Sequence, residues 1–509
     1  MMKALLALLV PVFLLAGLEA AERPNIVVIM TDDMGYSDLG CFGGEIETPN
    51  LDRLAENGIR FTQMYNTSKC WTTRISLLTG LYHQRSDRDF SNTALVGEVL
   101  RPANYRTWWS GKHHANFNPY DRGFDHFSGF LGGAINFWNP GDKAREGEPK
   151  PGWGANYTWA FDQQLQKPFI PDKGFYATDD FTDWALDWLD EERGDDEPFF
   201  LYLAYNAPHW PLHAHAKDID KYTRVYDVGY AAIREARFER QLEIGLYDKA
   251  TCSLSNPEHA SWSELSDSEQ TEEALLMQIH AAMVDNVDQN IGRLLDKLSE
   301  SGELENTLIL FLVDNGASHE KPGRGTKDPD AEWGTVGSFE AIGKSWANVA
   351  NTPLRLWKVQ GLEGGINTPM IAHWPAGISA ASGLFYREPC HVIDLLPTFI
   401  ELAGERATYP DNLTPIDGIS LTPAFRGDSL DRNSPICFEY GSWQAIREGK
   451  WKLVQRKSEP WALYDLSVDR TETNDLAAQL PGRVDAMSRK WSAWRRDCTK
   501  ENWKVEAVD

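Results

Sequence analysis

Four apolar runs in this chain end in side chains capable of chemistry, and that pattern restricts the fold more than any other feature. RPNIVVIMTDD runs unbroken to Asp32 and Asp33, and YRTWWSGKHH to Lys112, His113 and His114. PFFLYLAYNAPHW ends near His209, and TLILFLVDNG ends in Asp314 and Asn315. A run without alternation is the mark of a strand covered on both faces, as in a parallel sheet. Helical patterns lie between the runs. NLDRLAENGIRF is opened by Thr48 and Pro49 with Gly58 as a stop, and HAAMVDNVDQNIGRLLDKL precedes the fourth run. Strands alternating with helices over several hundred residues predict an α/β domain with a large, mostly parallel mixed sheet flanked by helices.

Ligands of such sheets bind beyond the carboxyl ends of the strands. A single strand ending in aspartate is ordinarily just leaving the core for solvent. Four endings with complementary chemistry define a candidate site. Asp32, Asp33, Asp314 and Asn315 offer hard oxygen ligands without a thiolate, a set suited to calcium, with magnesium second, rather than zinc. Arg74, Lys112, Lys358, His114 and His209 would surround that cation with positive charge and proton donors. One hard metal among several cations binds a tetrahedral oxyanion, either sulfate or phosphate. NTSKCWTTRISLLTG places Cys70 at the start of a helix, where backbone N–H groups also favour an anion. The residues alone leave Cys70 open as nucleophile, metal ligand, disulfide partner or precursor of another group.

The 509 residues carry a formal net charge of −25, which excludes a nucleic-acid partner because no basic excess exists to displace counterions. An anionic substrate would therefore be drawn by a local pocket, not by the overall field. The start, MMKALLALLVPVFLLAGLEAAERPN, has the lysine, short apolar run and small residues of a cleaved export leader over residues 1–21. No other run is long and apolar enough to span a membrane, so an exported protein without a stable membrane anchor is expected. Cys41, Cys70, Cys252, Cys390, Cys437 and Cys498 are scattered with no CxxC spacing, so disulfides are not the organising principle. HVIDLLPTFIELAG closes a large catalytic domain over residues 22–416. From residue 417 to 509 short segments such as KWKLVQRK and WALYDLSVD predict a smaller α+β domain, a hairpin-rich sheet with a final helix near Val484 to Arg496.

These motifs, together with ETPNLDRLAENGIRF, CWTTRISLLTG, YNAPHWPLH, LFLVDNGAS and NTPLRLWKVQGLEGGINTPMIAHWP, resemble the type I sulfatases, the arylsulfatase branch of the alkaline-phosphatase superfamily. The resemblance covers nearly the whole chain after the leader and implies an alkaline-phosphatase-like sheet. It also implies an answer for Cys70. The family's cysteine, in a C-x-P-x-R pattern, is oxidised during export by a formylglycine-generating enzyme to formylglycine (3-oxoalanine), whose hydrate is a gem-diol. One hydroxyl attacks sulfur and the other later helps to expel sulfate. Cys70 matches the modified position and Arg74 the pattern's arginine, while Asp32, Asp33, Asp314 and Asn315 match the calcium ligands. Lys112 and His114 match the pair that steadies the diol and takes its second proton. His209 and Lys358 match the residues that bind the sulfate and serve the leaving oxygen, with Asp314 taking the proton of the attacking hydroxyl.

One position departs from the pattern: Thr72 stands where the family has proline or alanine. Proline fixes φ and lacks an N–H, whereas threonine is β-branched and also favours an extended chain, so conversion of Cys70 is still expected. Structural roles are expected for His113, His213, His215 and His319, and turn roles for Asp465 and Asp469. The sequons at Asn66, Asn156 and Asn412 carry meaning only in a glycosylating host. Trp138, Trp153, Tyr157 and Trp159 lie in a Gly/Pro-rich segment where they would either stack on sugar faces or pack a loop core. The function expected is sulfate-ester hydrolysis on a sulfated small molecule or glycan. Two alternatives stay open: a phosphate or phosphonate ester hydrolase on the same fold, and a non-catalytic binder of sulfated glycans should Cys70 remain a thiol.

Overall fold

The computed structural model describes residues 23–499 apart from 88–89, 155, 193–196, 322–327 and 329. The expected leader lies outside the described residues. Eleven strands form the main sheet. They are β1 (Asn25–Thr31), β2 (Ile59–Tyr65), β3 (Arg106–Lys112), β4 (His126–Phe130), β5 (Trp159–Phe161) and β6 (Gln164–Gln166). β7 (Phe199–Ala204), β8 (Thr307–Val313), β9 (Asn367–His373), β10 (Leu384–Tyr386) and β11 (Cys390–His391) complete it. The order is β10-β2-β9-β8-β1-β7-β3-β4-β5-β6, with β11 beside β2.

The centre is parallel, as the unbroken apolar runs predict. β1 pairs with β8 in register Thr31↔Val313 and with β7 in register Met30↔Ala204, while β3 joins β7 with Gly111↔Ala204. Every residue of β1, β7 and β8 is buried. β9 runs antiparallel between β2 and β8, and β5 and β6 are antiparallel at the far edge, which makes the sheet mixed. Two hydrophobic clusters cover its faces, one holding Val27, Ile29, Leu201 and Phe311, the other Ile26, Val28, Phe200 and Leu310. The alternation of side chains along each strand divides neighbours between them.

Helix α1 (Pro49–Glu56) carries proline in its first turn as expected, and α2 (Cys70–Thr79) follows β2. The helix before β8 begins at Asp267, earlier than its apolar periodicity indicates. Its start is a capping box in which Ser266 Oγ accepts from Glu269 N–H at 3.4 Å and the Glu269 carboxylate accepts from Ser266 N–H at 2.8 Å. The chain's end forms a four-stranded antiparallel sheet, β12 (Ile436–Tyr440), β13 (Trp443–Glu448), β14 (Trp451–Arg456) and β15 (Ala462–Asp465), packed by the helix Pro481–Thr499. Leu421, Ala424 and Phe425 bury with Leu396 and Phe399 in the large core. Many tryptophans are core residues: Trp108, Trp109, Trp159 and Trp346 are fully buried. All six cysteines are free and buried, and among the described residues no helix is long and apolar enough to cross a membrane.

Candidate active site

Because β1, β3, β7 and β8 are parallel and in register, their carboxyl ends deliver side chains to one place. Asp32 and Asp33 follow Thr31, Lys112 ends β3, His209 lies five positions beyond Ala204, and Asp314 and Asn315 follow Val313. β2, antiparallel to β9 and so parallel to β8, ends at the same edge and leads through Asn66 into α2. There the Asn66 side chain accepts from Ser68 N–H at 2.6 Å, and Thr67 N–H donates to Thr73 Oγ1 at 3.1 Å. That turn sets Lys69 in an extended conformation before Cys70, so Cys70 occupies the first position of the helix. The first N–H groups of a helix have no partner within it and can serve an anion.

The ten expected side chains are brought together, and most are fully buried. Arg74 donates from Nε and Nη2 to Asp314 Oδ2 at 3.0 and 2.9 Å. Lys112 Nζ donates to Asp32 Oδ2. Lys358 Nζ meets both oxygens of Asp33, at 2.7 and 2.8 Å, and Asn315 Nδ2 donates to Asp33 Oδ1 at 2.7 Å. His209 pairs Nδ1 with the Trp210 carbonyl at 2.7 Å and turns Nε2 towards Asp33 Oδ2 at 3.4 Å. His114 has a left-handed backbone, φ 66°, and a Cβ on Gly133 would come within 2.6 Å of its Nε2. That close approach requires glycine opposite the ring.

The electrostatics fit a cation with an anion beside it. Asp32, Asp33 and His209 have donor atoms within 4.8 Å of one another, and so do Asp32, Cys70 and Asp314. Asp32 Oδ1 and Asn315 Oδ1 are buried with no hydrogen-bond partner among the described residues, which is how ligand oxygens look when protein donors have been kept away from them. Burial and the neighbouring Asp32 charge push the Asp314 carboxyl well above the usual range, a repulsion that a divalent ion would relieve. Burial acts to raise the Cys70 thiol, but Lys112, Lys358 and Lys69 outweigh it and hold it below its ordinary value. A negative oxygen is favoured at the same point. Burial and Lys112 drive the His114 imidazole well below its ordinary value, leaving it neutral. Among the fixed charges, three carboxylates face the three cations Arg74, Lys112 and Lys358. A divalent ion would therefore leave a net positive pocket.

Thr72 is accommodated by local bonding. It is fully buried, and its hydroxyl donates to the Lys69 carbonyl at 2.8 Å and accepts from Thr67 Oγ1. His113 stacks on Trp109 at 4.8 Å, His213 bonds Phe137 N–H and the Ser338 carbonyl, and His215 pairs with Asp179 at 2.9 Å, all structural roles. His319 stacks on Trp357 at 5.4 Å. Asp465 and Asp469 accept backbone N–H groups in turns. Trp159 lies in the core, while Trp153 packs on Trp210 at 5.5 Å and Trp138 on Tyr176 at 4.4 Å. Two rim residues were not foreseen from sequence. Tyr440, ending β12, lies beside Lys69, Trp71 and Cys70, which brings the small sheet to the site. Glu320, five positions after Asn315, contacts Lys69 and Trp210. The only signal for Glu320 was its closeness to the ligand-like Asp-Asn pair.

Comparison with known proteins agrees with this architecture. The sulfatase family model matches residues 24–405, so the chain belongs to the sulfatase family. The arylsulfatase of Klebsiella aerogenes is 32% identical over 459 residues, covering 83% of this chain and 97% of the relative. An uncharacterised sulfatase of Schizosaccharomyces pombe is 32% identical over 529 residues, 94% of each chain. Among solved structures, Ps i-CgsB in complex with k-i-k-neocarrahexaose is similar, with a TM-score of 0.68 and 27% identity over 96% of each chain. The protein is a sulfatase enzyme of alkaline-phosphatase-like fold, and its acidic cluster can hold a metal ion.

Proposed function

We propose that this sulfatase is exported and removes sulfate from a sulfated carbohydrate, using a formylglycine made from Cys70 and one calcium ion. The observation that carries the reading is the meeting of Cys70 with Asp32 and Asp314 inside 4.8 Å, within the electrostatic reach of Lys112 and Lys358. Carbohydrate is preferred over a simple aryl group because the structurally similar Ps i-CgsB was solved in complex with k-i-k-neocarrahexaose. Sulfate release from a panel of defined sulfated saccharides, by protein carrying the aldehyde, tests it. Turnover of phosphate or phosphonate esters in preference to every sulfate ester would contradict it.

Asp32, Asp33, Asp314 and Asn315 would hold the metal, whose charge would draw electron density from the sulfate oxygens. The hydrated aldehyde would supply the attacking hydroxyl and the one that expels sulfate. Arg74 fixes Asp314 by two hydrogen bonds to Oδ2, while Oδ1 accepts from Asp33 N–H at 3.4 Å. Lys112 and Lys358 hold negative charge on the transferring group, the role in which buried cations contribute most. His114, neutral, takes the proton of the expelling hydroxyl. His209 donates Nδ1–H to the Trp210 carbonyl, so Nε2 can protonate the departing alcohol only from the imidazolium, a form that burial disfavours and the Asp33 and Asp32 charges favour.

Two measurements follow. Elemental analysis should find one calcium (magnesium in second place) per chain, and chelation should abolish turnover and lower the melting temperature, since Asp32 and Asp314 then repel each other unshielded. Stoichiometric zinc would contradict the assignment. His209→Ala should slow release of a sugar alcohol by about 10²–10⁴-fold, whereas nitrophenolate leaves unaided and should lose less than about tenfold. Equal losses on both substrates would make His209 a sulfate-binding residue.

A further inference from the structure

Glu320 lies beside the site, with 31% of its side chain exposed, and pairs with Lys69 with 21%. Oε2 accepts from the Trp210 indole N–H at 2.9 Å, and Trp210 in turn lies 4.5 Å from the His209 ring. Oε1 is 3.9 Å from Lys69 Nζ and accepts no hydrogen bond among the described residues. The carboxylate therefore bridges the two sides of the reaction. Lys69 immediately precedes Cys70, and His209 is the residue assigned above to the departing alcohol. Burial acts to raise the Glu320 carboxyl, but Lys358, Lys69 and His209 bring it down to about 2, so it is ionised throughout the neutral range. A fixed negative charge on the rim of a site built to attract an anion works against that attraction, and catalysis of sulfate transfer has no evident use for it.

We propose that Glu320 is a specificity-determining residue that accepts a hydrogen bond from a free hydroxyl beside the sulfate ester and repels a second anion at that position. The substrate class is thereby narrowed to sulfates flanked by an uncharged hydroxyl, in contrast to vicinally disulfated or carboxylated rings. Oε1, met among the described residues only by Lys69 at 3.9 Å, supplies the acceptor, and a hydrogen bond to a charged group is worth more than one to a neutral group. Exclusion of the wrong substrate by like charge is the repulsive half of the same selectivity. The inference rests on the sulfatase site proposed above.

A matched set of aryl esters tests it without knowledge of the natural glycan: phenyl sulfate, 2-hydroxyphenyl sulfate and 1,2-phenylene bis-sulfate, each followed by sulfate release near neutral pH. For the wild type, kcat/KM should favour the hydroxyl-bearing ester over phenyl sulfate by about tenfold and disfavour the bis-sulfate by a similar factor. In Glu320→Gln both ratios should shrink to less than about threefold, because the amide carries no charge and accepts more weakly. Trp210→Phe, which removes the donor that orients Oε2, should move both ratios the same way by less. Ratios unchanged by Glu320→Gln, or a wild type indifferent to the neighbouring group, would overturn the inference and leave the sulfatase reading standing. Absence of turnover on all three esters by wild-type protein carrying the aldehyde would instead strike at that reading itself.

Discussion

Cys70→Ser should convert the enzyme into a single-turnover sulfate acceptor. Serine keeps one hydroxyl at the position where Lys112, Lys358 and the helix start favour a negative oxygen, so attack on sulfur is still open to it. It lacks the second hydroxyl that would expel sulfate, and direct attack by water on a stable sulfate ester is slow. The expected result is release of one equivalent of alcohol per active chain, with sulfate retained on the peptide that carries the substitution. Steady-state turnover should be lower by at least about 10⁴-fold. Alcohol release that continues past one equivalent at the wild-type rate would mean that the second hydroxyl has no part in turnover.

The second large effect lies away from the chemistry. Lys452 in β14 is fully buried between Glu363 and Glu472, at 2.9 and 2.7 Å, and Arg470 meets the other oxygen of Glu363 at 2.9 Å. Burial acts to raise the Glu363 carboxyl, and Lys452, Arg470 and Arg447 bring it down to about 2. Lys452→Met keeps much of the volume but leaves two carboxylates facing each other in the interior. The expected loss is about 3–5 kcal/mol of unfolding free energy, the range for breaking a buried ion pair by removing one partner. Lys490, which pairs with Glu448 on the surface of the same sheet, provides the contrast: Lys490→Met should cost less than about 1 kcal/mol. Urea unfolding of the two variants beside the wild type measures the difference. Similar midpoints for both would show that the network contributes little. Because Glu363 begins the turn Glu363–Ile366 and its N–H donates to Glu472 at 2.7 Å, the same pairs tie the small sheet to the segment carrying Lys358.

The parts of this molecule legible in the sequence are those with a local pattern. β1, β7 and β8 read as buried strands because both faces are apolar, and the polar groups at their ends read as a site because parallel strands end together. Cys70 with Arg74 was legible through its motif, as was the split of the chain into a large sheet and a later hairpin-rich one. What escaped had no local signature. Lys452 sits in KWKLVQRK, where alternation would place it on a solvent face, yet Glu363 and Glu472 from distant segments enclose it. Tyr440 reaches Cys70 only because the small sheet docks beside α2, and docking leaves no trace in periodicity. Nothing in NTPMIAH states that β9 inserts antiparallel between β2 and β8. At Gly316 the backbone meets the Gly364 carbonyl so closely that a Cβ would lie 1.8 Å away; that glycine is explained by a contact across the fold, not by its neighbours in sequence.

In the mechanism proposed above, turnover depends on an aldehyde at position 70. Trypsin should cut after Lys69 and after Arg74, releasing Cys-Trp-Thr-Thr-Arg as its own peptide. Mass spectrometry of that peptide, taken from the same preparation whose sulfate release has been measured, gives the fraction converted. Loss of sulfur and gain of the aldehyde oxygen is expected in protein from a host with the modifying enzyme, with activity proportional to that fraction and absent where the thiol persists. Full turnover by protein whose peptide retains its thiol would contradict it.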